Sequence, residues 1–242
     1  MTTVTETPSA TAQNPHQNVS FPSGDTTAHG YLAVPPSGSG PGLVVIQEWW
    51  GLTEHIKDVT DRFAAEGFVA LAPDLFGGPT THDSDEAGRL MQDLPVEQAA
   101  RDLAGAVDHL LGHDAVTSTT VGTVGFCMGG GFVLVMAAQQ GDRVSAAVPF
   151  YGVGGYDQVD LGGVTAPVLG HFGSEDGFVP PAQVDALEAE LQQRSSGSVE
   201  IVRYPGAGHA FFNDENLLGT YDPELAPQAW SRTLDFLRSN VT

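Results

Sequence analysis

One turn constrains the fold of this chain more than any other stretch: the segment Gly125-Phe126-Cys127-Met128-Gly129, which ends a β-prone run that starts at Thr120. A helical pattern, residues 132–140, follows directly, so the local prediction is a strand, a sharp turn and a helix, with one thiol at the apex. The spacing fits the nucleophile elbow G-x-S-x-G with cysteine in place of serine. The flanking glycines have a physical reason, because a strained apex needs neighbours that approach closely without a Cβ atom.

Cys127 has two interpretations from the motif alone. The helix predicted behind it offers free N–H groups and the positive end of its dipole, which favour a thiolate and hence a nucleophile. The alternative is a small buried side chain in a glycine-rich turn, as many free cysteines are. The catalytic interpretation therefore requires a base and an acid elsewhere in the chain.

Apolar runs and helical patterns alternate along the chain after an opening hairpin at residues 18–34. The predicted strands are residues 43–48, 68–72, 120–125, 146–151, 166–172 and 199–204, and the predicted helices are residues 53–66, 96–111, 132–140, 181–193 and 223–239. This alternation predicts an α/β fold: one doubly wound, mainly parallel sheet of about seven to eight strands with helices on both faces.

Residues 18–242 show no composition break and are predicted to form a single domain. Residues 1–17 are rich in Thr, Ser, Ala and Pro without apolar periodicity, which predicts a disordered leader. Residues 80–95 are polar and irregular, with a short helix expected near residues 86–92. Whether this stretch forms a lid is left open.

The base is predicted from a rule of doubly wound sheets, in which ligands bind beyond the carboxyl ends of the strands. His209 fits best, because it lies in a glycine-rich loop directly after the strand at 199–204. In the loop after the strand at 166–172, either Glu175 or Asp176 could orient a histidine, and the residues alone leave both open. The order nucleophile, acid, base is that of α/β-hydrolases.

Composition excludes several function classes. The chain has 30 Asp and Glu against 9 Lys and Arg, a net charge of −21, which repels nucleic acid and anionic membranes, so neither is predicted as a partner. No membrane span or signal peptide is evident, and the single cysteine allows no internal disulfide, so a cytoplasmic location is predicted. His109 and His113 have an i,i+4 spacing seen in metal sites, but no third ligand is evident. No metal or cofactor is predicted, and a monomer and a homodimer remain equally open.

Taken together, these features resemble the dienelactone hydrolase family of α/β-hydrolases, and the likeness runs from about Val19 to the C-terminus. The segments that carry it are Gln47-Glu48-Trp49-Trp50-Gly51, Ala72-Pro73-Asp74-Leu75-Phe76, Gly125-Phe126-Cys127-Met128-Gly129-Gly130, Gly173-Ser174-Glu175-Asp176 with Val179-Pro180, and Gly208-His209-Ala210-Phe211.

The resemblance implies roles for particular residues. Cys127 would be the nucleophile, His209 the base and Asp176 the acid that orients it. Glu48 would be hydrogen-bonded to the resting thiol and displaced when substrate binds. The backbone N–H groups of Trp49 and Met128 would form the oxyanion hole.

The chain departs from the family at two positions. Gly78 and Asn213 stand where the founding lactone hydrolases have arginines that bind the substrate carboxylate. Arg89, in the irregular stretch, is a candidate to replace them, but no pattern in the sequence places it at the site. An apolar, aromatic pocket is expected instead, with about half of the nearby aromatic side chains lining it. The predicted substrate-binding residues are Trp50, Phe76, Phe178 and Phe211.

The predicted function is hydrolysis of a small-molecule carboxylic ester or lactone through an acyl-enzyme intermediate. Two alternatives stay open. One is acyl transfer on the same triad, and the other is a non-catalytic binding or redox-sensing protein that uses Cys127 as an exposed thiol.

Overall fold

The structure is a computed structural model that describes residues 14–153 and 160–242. It contains one sheet of eight strands, which are β1 (Val19–Ser23), β2 (Thr26–Ala33), β3 (Gly40–Ile46), β4 (Val69–Pro73), β5 (Val116–Phe126), β6 (Val144–Phe150), β7 (Val168–Gly173) and β8 (Val199–Tyr204). The helices are α1 (Glu54–Ala65), α2 (Ser84–Asp93), α3 (Val96–Leu111), α4 (Met128–Gln140), α5 (Pro181–Arg194) and α6 (Leu225–Asn240).

The sheet order is β1-β2-β4-β3-β5-β6-β7-β8. Strand β2 pairs antiparallel with both β1 and β4, and all the other neighbours are parallel. The predicted mainly parallel sheet is therefore confirmed. Because β4 and β5 lie on opposite sides of β3, the strand order reverses there, and the carboxyl ends of β3 and β5 open a crevice at this switch point.

Two apolar cores cover the two faces of the sheet. One core packs α3, α4 and α5 against the sheet, and the other packs α1 and α6 against the opposite face. Helix α4 is apolar on nearly all sides and almost fully buried, as expected for a helix at the centre of an α/β domain. None of the helices in the described residues combines the length and the apolar character needed to cross a membrane.

Several boundaries differ from the sequence-based expectations: β3 spans Gly40–Ile46 rather than residues 43–48, and β5 begins at Val116 rather than at residue 120. Helix α4 begins at Met128 rather than Phe132, although the glycines in its first turn have low helix propensity. Tertiary packing overrides this preference, because a Cβ atom on Gly130 would lie 2.6 Å from the Phe150 carbonyl oxygen. Residues 80–95 contain a regular helix, α2, that is longer than expected.

The expected leader also ends earlier than residue 17. Asn14 is buried, and its Nδ2 donates to the Leu52 carbonyl at 2.9 Å. The Gln17 Nε2 donates to the Asp74 carboxylate at 2.7 Å. Asn14 and Gln17 therefore contact the rest of the described chain through buried or half-buried polar groups. The remainder of the expected leader, residues 1–13, lies outside the described residues.

Candidate active site

The turn at Cys127 has the strained geometry expected of a nucleophile elbow. Cys127 connects β5 to α4 with φ 54° and ψ −118°, in the positive-φ region that side chains seldom adopt. The close approach also requires glycine: a Cβ atom on Gly125 would lie 2.3 Å from the Gly129 carbonyl oxygen, and one on Gly129 would lie 2.5 Å from that of Gln47. The backbone therefore places the thiol at the carboxyl edge of the sheet.

His209 and Asp176 meet Cys127 from two other loops. The His209 Nε2 lies 3.2 Å from the Cys127 sulfur, and its Nδ1 lies 2.8 Å from the Asp176 Oδ2. The other carboxylate oxygen of Asp176 accepts hydrogen bonds from the backbone N–H groups of Phe178 and Val179, both at 2.8 Å. Asp176 is buried, whereas the neighbouring Glu175 is exposed. The structure thus brings together three residues that are distant in the sequence.

The surroundings of His209 favour its protonated form. Burial on its own lowers the pKa of an imidazole, but the hydrogen bonds to Asp176 and Cys127 and the charges of both outweigh it. Together they raise the pKa of His209 from 6.5 to about 10. An imidazolium beside the sulfur stabilises a thiolate, which is the reactive form of cysteine.

The raised pKa of His209 makes its contribution to stability depend on pH. A group whose folded pKa lies above its unfolded value stabilises fully below about pH 6.5, and this stabilisation is lost as pH rises through about 10. We expect the Tm difference between wild type and His209→Gln to narrow steadily between about pH 6 and pH 10. His82→Gln, a change at an exposed histidine, is the control. A difference independent of pH would contradict the assignment.

Glu48 lies under the site and is almost fully buried. Its carboxylate accepts hydrogen bonds from the Tyr151 hydroxyl at 3.3 Å and from the Asn213 Nδ2 at 2.5 Å. Burial raises the pKa of Glu48, against the charges and hydrogen bonds around it. The family resemblance implied a hydrogen bond between Glu48 and the resting thiol. In this structure the thiol contacts His209, because Tyr151 and Asn213 engage both oxygens of Glu48.

Trp49 and Met128 border the cavity beside the thiol. Met128 is the first residue of α4, where the helix leaves the amide without an intrahelical acceptor. Trp49 directly follows Glu48 in the loop after β3, which neighbours β5 in the sheet. Both predicted oxyanion-hole residues therefore lie next to Cys127.

The cavity above Cys127 has a volume of about 250 Å³ and is predominantly apolar. Its lining residues are Trp49, Met91, Cys127, Met128, Tyr151, Gly152, Val153, Phe178, Val179 and His209. Among the predicted substrate-binding aromatics, Phe178 lines the cavity, and it is 61% exposed at the rim.

The other three predicted substrate-binding residues lie elsewhere. Trp50 is buried beside a separate small cavity. Phe211 is fully buried against Tyr204 and Tyr151. Phe76 is half-buried outside the lining. These three residues therefore do not line the described cavity, because an aromatic side chain next to a motif can turn either to the core or to the cleft.

Sequence reasoning missed Tyr151 and Met91. Tyr151 directly follows β6, with φ 37°, so the strand-end rule that selected His209 also points to it. Met91 reaches the cavity from α2, and no local pattern distinguishes it from a surface methionine.

No lysine or arginine side chain lines the described cavity. All Lys and Arg residues of the chain lie within the described ranges, and none of them lines it. Arg89 is exposed on α2 outside the lining, so it does not replace the family's arginines. Asn213 is buried and donates its amide to Glu48, so this side chain is engaged by the protein itself.

Comparison with known proteins shows which family the chain belongs to. The sequence model of the dienelactone hydrolase family matches residues 28–241. The protein usf of Aquifex pyrophilus is 34% identical over 232 residues, which cover 93% of this chain and 99% of that protein. A protein of Aquifex aeolicus, provisionally assigned as a carboxymethylenebutenolidase, is 31% identical and covers 92% of this chain and 98% of its own length.

A solved structure is similar over almost its whole length. The crystal structure of a Klebsiella pneumoniae protein, provisionally assigned as a dienelactone hydrolase, has a TM-score of 0.79 and 31% sequence identity. The match covers 90% of this chain and 96% of that one. The chain is therefore a hydrolase that belongs to the dienelactone hydrolase family of the α/β-hydrolase superfamily.

Proposed function

We propose that this protein hydrolyses uncharged carboxylic esters or lactones through a Cys127–His209–Asp176 triad and an acyl-enzyme intermediate. The observation that carries the proposal is the unbroken contact from the Asp176 carboxylate through His209 to the Cys127 sulfur, 2.8 Å and 3.2 Å long, at the floor of an apolar cavity. A nucleophile, a base and an orienting acid within hydrogen-bond reach form the arrangement required for nucleophilic catalysis.

In the acylation step the Cys127 thiolate forms a bond to the carbonyl carbon, and His209 carries the proton of the thiol. The carbonyl oxygen becomes an oxyanion, held by the N–H groups of Trp49 and Met128. When the carbon–oxygen bond of the ester breaks, His209 gives its proton to the leaving alkoxide. Loss of one oxyanion donor typically costs about 100- to 1,000-fold in kcat.

In the deacylation step a water molecule attacks the thioester carbonyl while His209 takes one of its protons. The carbon–sulfur bond then breaks, the acid product leaves, and Cys127 returns to its starting state with the proton shared with His209. Asp176 holds the imidazole in the orientation that both steps need. A redox sensor needs an exposed cysteine but no oriented histidine–aspartate pair, so this pair favours catalysis over sensing.

The charge of the site favours substrates without a free carboxylate. No Lys or Arg lines the described cavity, and the buried carboxylate of Glu48 already accepts a hydrogen bond from the Asn213 amide. A substrate carboxylate that enters this cavity loses its water without gaining a lysine or arginine partner, and His209 is already engaged by Asp176 and Cys127, so its burial is costly. We therefore expect the enzyme to prefer neutral acyl groups.

The preference can be tested with two esters that differ in one terminal group, p-nitrophenyl hexanoate and the p-nitrophenyl monoester of adipic acid. We expect kcat/KM to be about tenfold or more higher for the hexanoate, since an unpaired buried carboxylate costs at least the ~1.4 kcal/mol that corresponds to tenfold. The hydrolysis rate in buffer alone is subtracted for each ester. An equal or reversed preference would sink the assignment of a neutral substrate.

Met91 offers a matched pair of variants for the same question, because it lines the cavity and is partly exposed. Met91→Arg adds a cation to the cavity wall and should reduce the kcat/KM preference for the hexanoate over the adipate monoester several-fold. Met91→Gln changes the polarity without the charge and should leave it nearly unchanged. Analysis of the products formed with added alcohol distinguishes hydrolysis from acyl transfer, because a transferase would form the new ester.

A cytoplasmic location remains a prediction from the sequence.

A further inference from the structure

A second histidine–carboxylate contact joins His55 and Asp214. The His55 Nδ1 lies 2.9 Å from the Asp214 Oδ1, and the imidazole side chain is only 1% exposed. Its Nε2 is buried and has no hydrogen-bond partner among the described residues. Burial of an imidazole that has one hydrogen-bonded nitrogen and one unpaired nitrogen costs free energy. This cost is offset if the positive charge of the ring stabilises a nearby anion.

The pair spans the two segments that hold Glu48. His55 lies in the first turn of α1, at the end of the loop that carries Glu48 after β3. Asp214 directly follows Asn213, whose amide donates to the Glu48 carboxylate. The His55–Asp214 contact therefore ties the loop that contains Glu48 to the loop that contains its hydrogen-bond donor.

The charges of His55 and Glu48 act on each other. Burial raises the pKa of Glu48, and the charge of His55 is the strongest influence against it, ahead of the hydrogen bonds from Asn213 and Tyr151. Burial lowers the pKa of His55, but the hydrogen bond to Asp214 and the charge of Glu48 outweigh it and raise that pKa above 6.5.

Other charged groups face this pair. Glu215 adds a further negative charge near His55, and Arg62 adds a positive one near Asp214. His209 faces Glu48 from the triad side. His55 is therefore a buried positive group near Glu48 that is held in place by its hydrogen bond to Asp214 and not by a residue of the triad.

We propose that His55, held by Asp214, is a positioning residue that supplies the positive charge opposite Glu48 and keeps this carboxylate on Tyr151 and Asn213, away from Cys127. An ionised carboxylate accepts from both donors at once, whereas a protonated one competes with them as a donor. With Glu48 engaged in this way, His209 is left as the partner of the thiol. The inference rests on the proposed function in one respect, since Cys127 is taken as the nucleophile.

The test is a double-mutant cycle of His55→Gln and Glu48→Gln, read by Tm at about pH 7. Glutamine can still donate to Asp214 but carries no charge. We expect His55→Gln to lower Tm by about 5 to 10 °C, because it leaves a buried carboxylate without its counter-charge. The double variant should recover at least half of this loss, since Glu48→Gln removes the uncompensated charge.

A purely structural role for His55 predicts the opposite result, in which the two losses add and Glu48→Gln gives no rescue. That outcome would overturn the proposal. His171→Gln is the matched control, because His171 is equally buried but pairs with the Tyr204 and Thr233 hydroxyl groups; Glu48→Gln should not rescue it. The loss in His55→Gln should also shrink as the pH rises through the raised pKa of His55, because the wild-type imidazole then gives up its proton.

Alkylation of the thiol supplies a readout that does not need ester turnover. Cys127 is the only cysteine in the chain, so reaction with iodoacetamide reports on it alone. In His55→Gln we expect alkylation at about pH 7 to slow by about tenfold, because Glu48 then competes with His209 for the thiol and its nearby negative charge disfavours the thiolate. Glu48→Gln should restore the rate. Unchanged alkylation in His55→Gln would overturn the proposal. Rescue without ester turnover in the wild type would instead refute the proposed hydrolysis and leave the role of His55 standing.

Discussion

Replacement of Cys127 by alanine is expected to lower kcat for p-nitrophenyl acetate by about 10⁴-fold or more, the scale on which removal of a catalytic nucleophile acts. The reason is structural. The sulfur lies 3.2 Å from the His209 Nε2, and no second cysteine exists in the chain to replace it. Residual turnover would come from the oxyanion hole and from substrate binding.

The control for Cys127→Ala is Cys127→Ser, which keeps a hydrogen-bonding group at the apex of the elbow. Both variants should keep a Tm close to that of wild type, since the strained backbone is unchanged and the side chain is small. Similar turnover in Cys127→Ala and wild type would refute the nucleophile assignment. Cys127 would then have to be tested as a redox-sensing thiol.

Asp176→Asn is expected to lower kcat by about 10⁴-fold, the loss typical of a triad whose histidine is held in the wrong tautomer. The Asp176 Oδ1 accepts two backbone N–H groups, from Phe178 and Val179. An asparagine must keep its oxygen on these donors, so its NH₂ group turns toward the His209 Nδ1. His209 then carries its proton on Nε2 and cannot accept one from Cys127.

Glu175→Gln is the matched control for this variant, because the two carboxylates are adjacent in the sequence but only Asp176 is buried against His209. We expect Glu175→Gln to retain wild-type kcat. Comparable losses in both variants would mean that the loop conformation, rather than the contact between Asp176 and His209, controls the rate. Steady-state kinetics on p-nitrophenyl acetate, with Tm as the check on folding, decides between them.

The sequence by itself was sufficient to predict the order and type of the main strands and helices. The strand at 199–204 and the helix at 96–111 have the predicted bounds, because buried strands and amphipathic helices leave local periodic patterns. Cys127 and His209 were also found locally. Their loops carry glycines at fixed offsets, and the strand-end rule of doubly wound sheets then places both at one edge.

Only the tertiary structure decided which groups contact one another around that edge. Asp176 and Glu175 differ by one position, and their burial depends on the fold of the loop. The fold likewise leaves Phe178 exposed at the cavity rim and buries Trp50.

The partners of Glu48 lie 103 and 165 residues away, and His55 lies 159 residues from Asp214. Local propensity acts over a few residues, whereas the burial and the charge of a side chain are set by segments that only the folded chain brings together. For that reason the elbow could be predicted from the sequence, but the polar network beneath it could not.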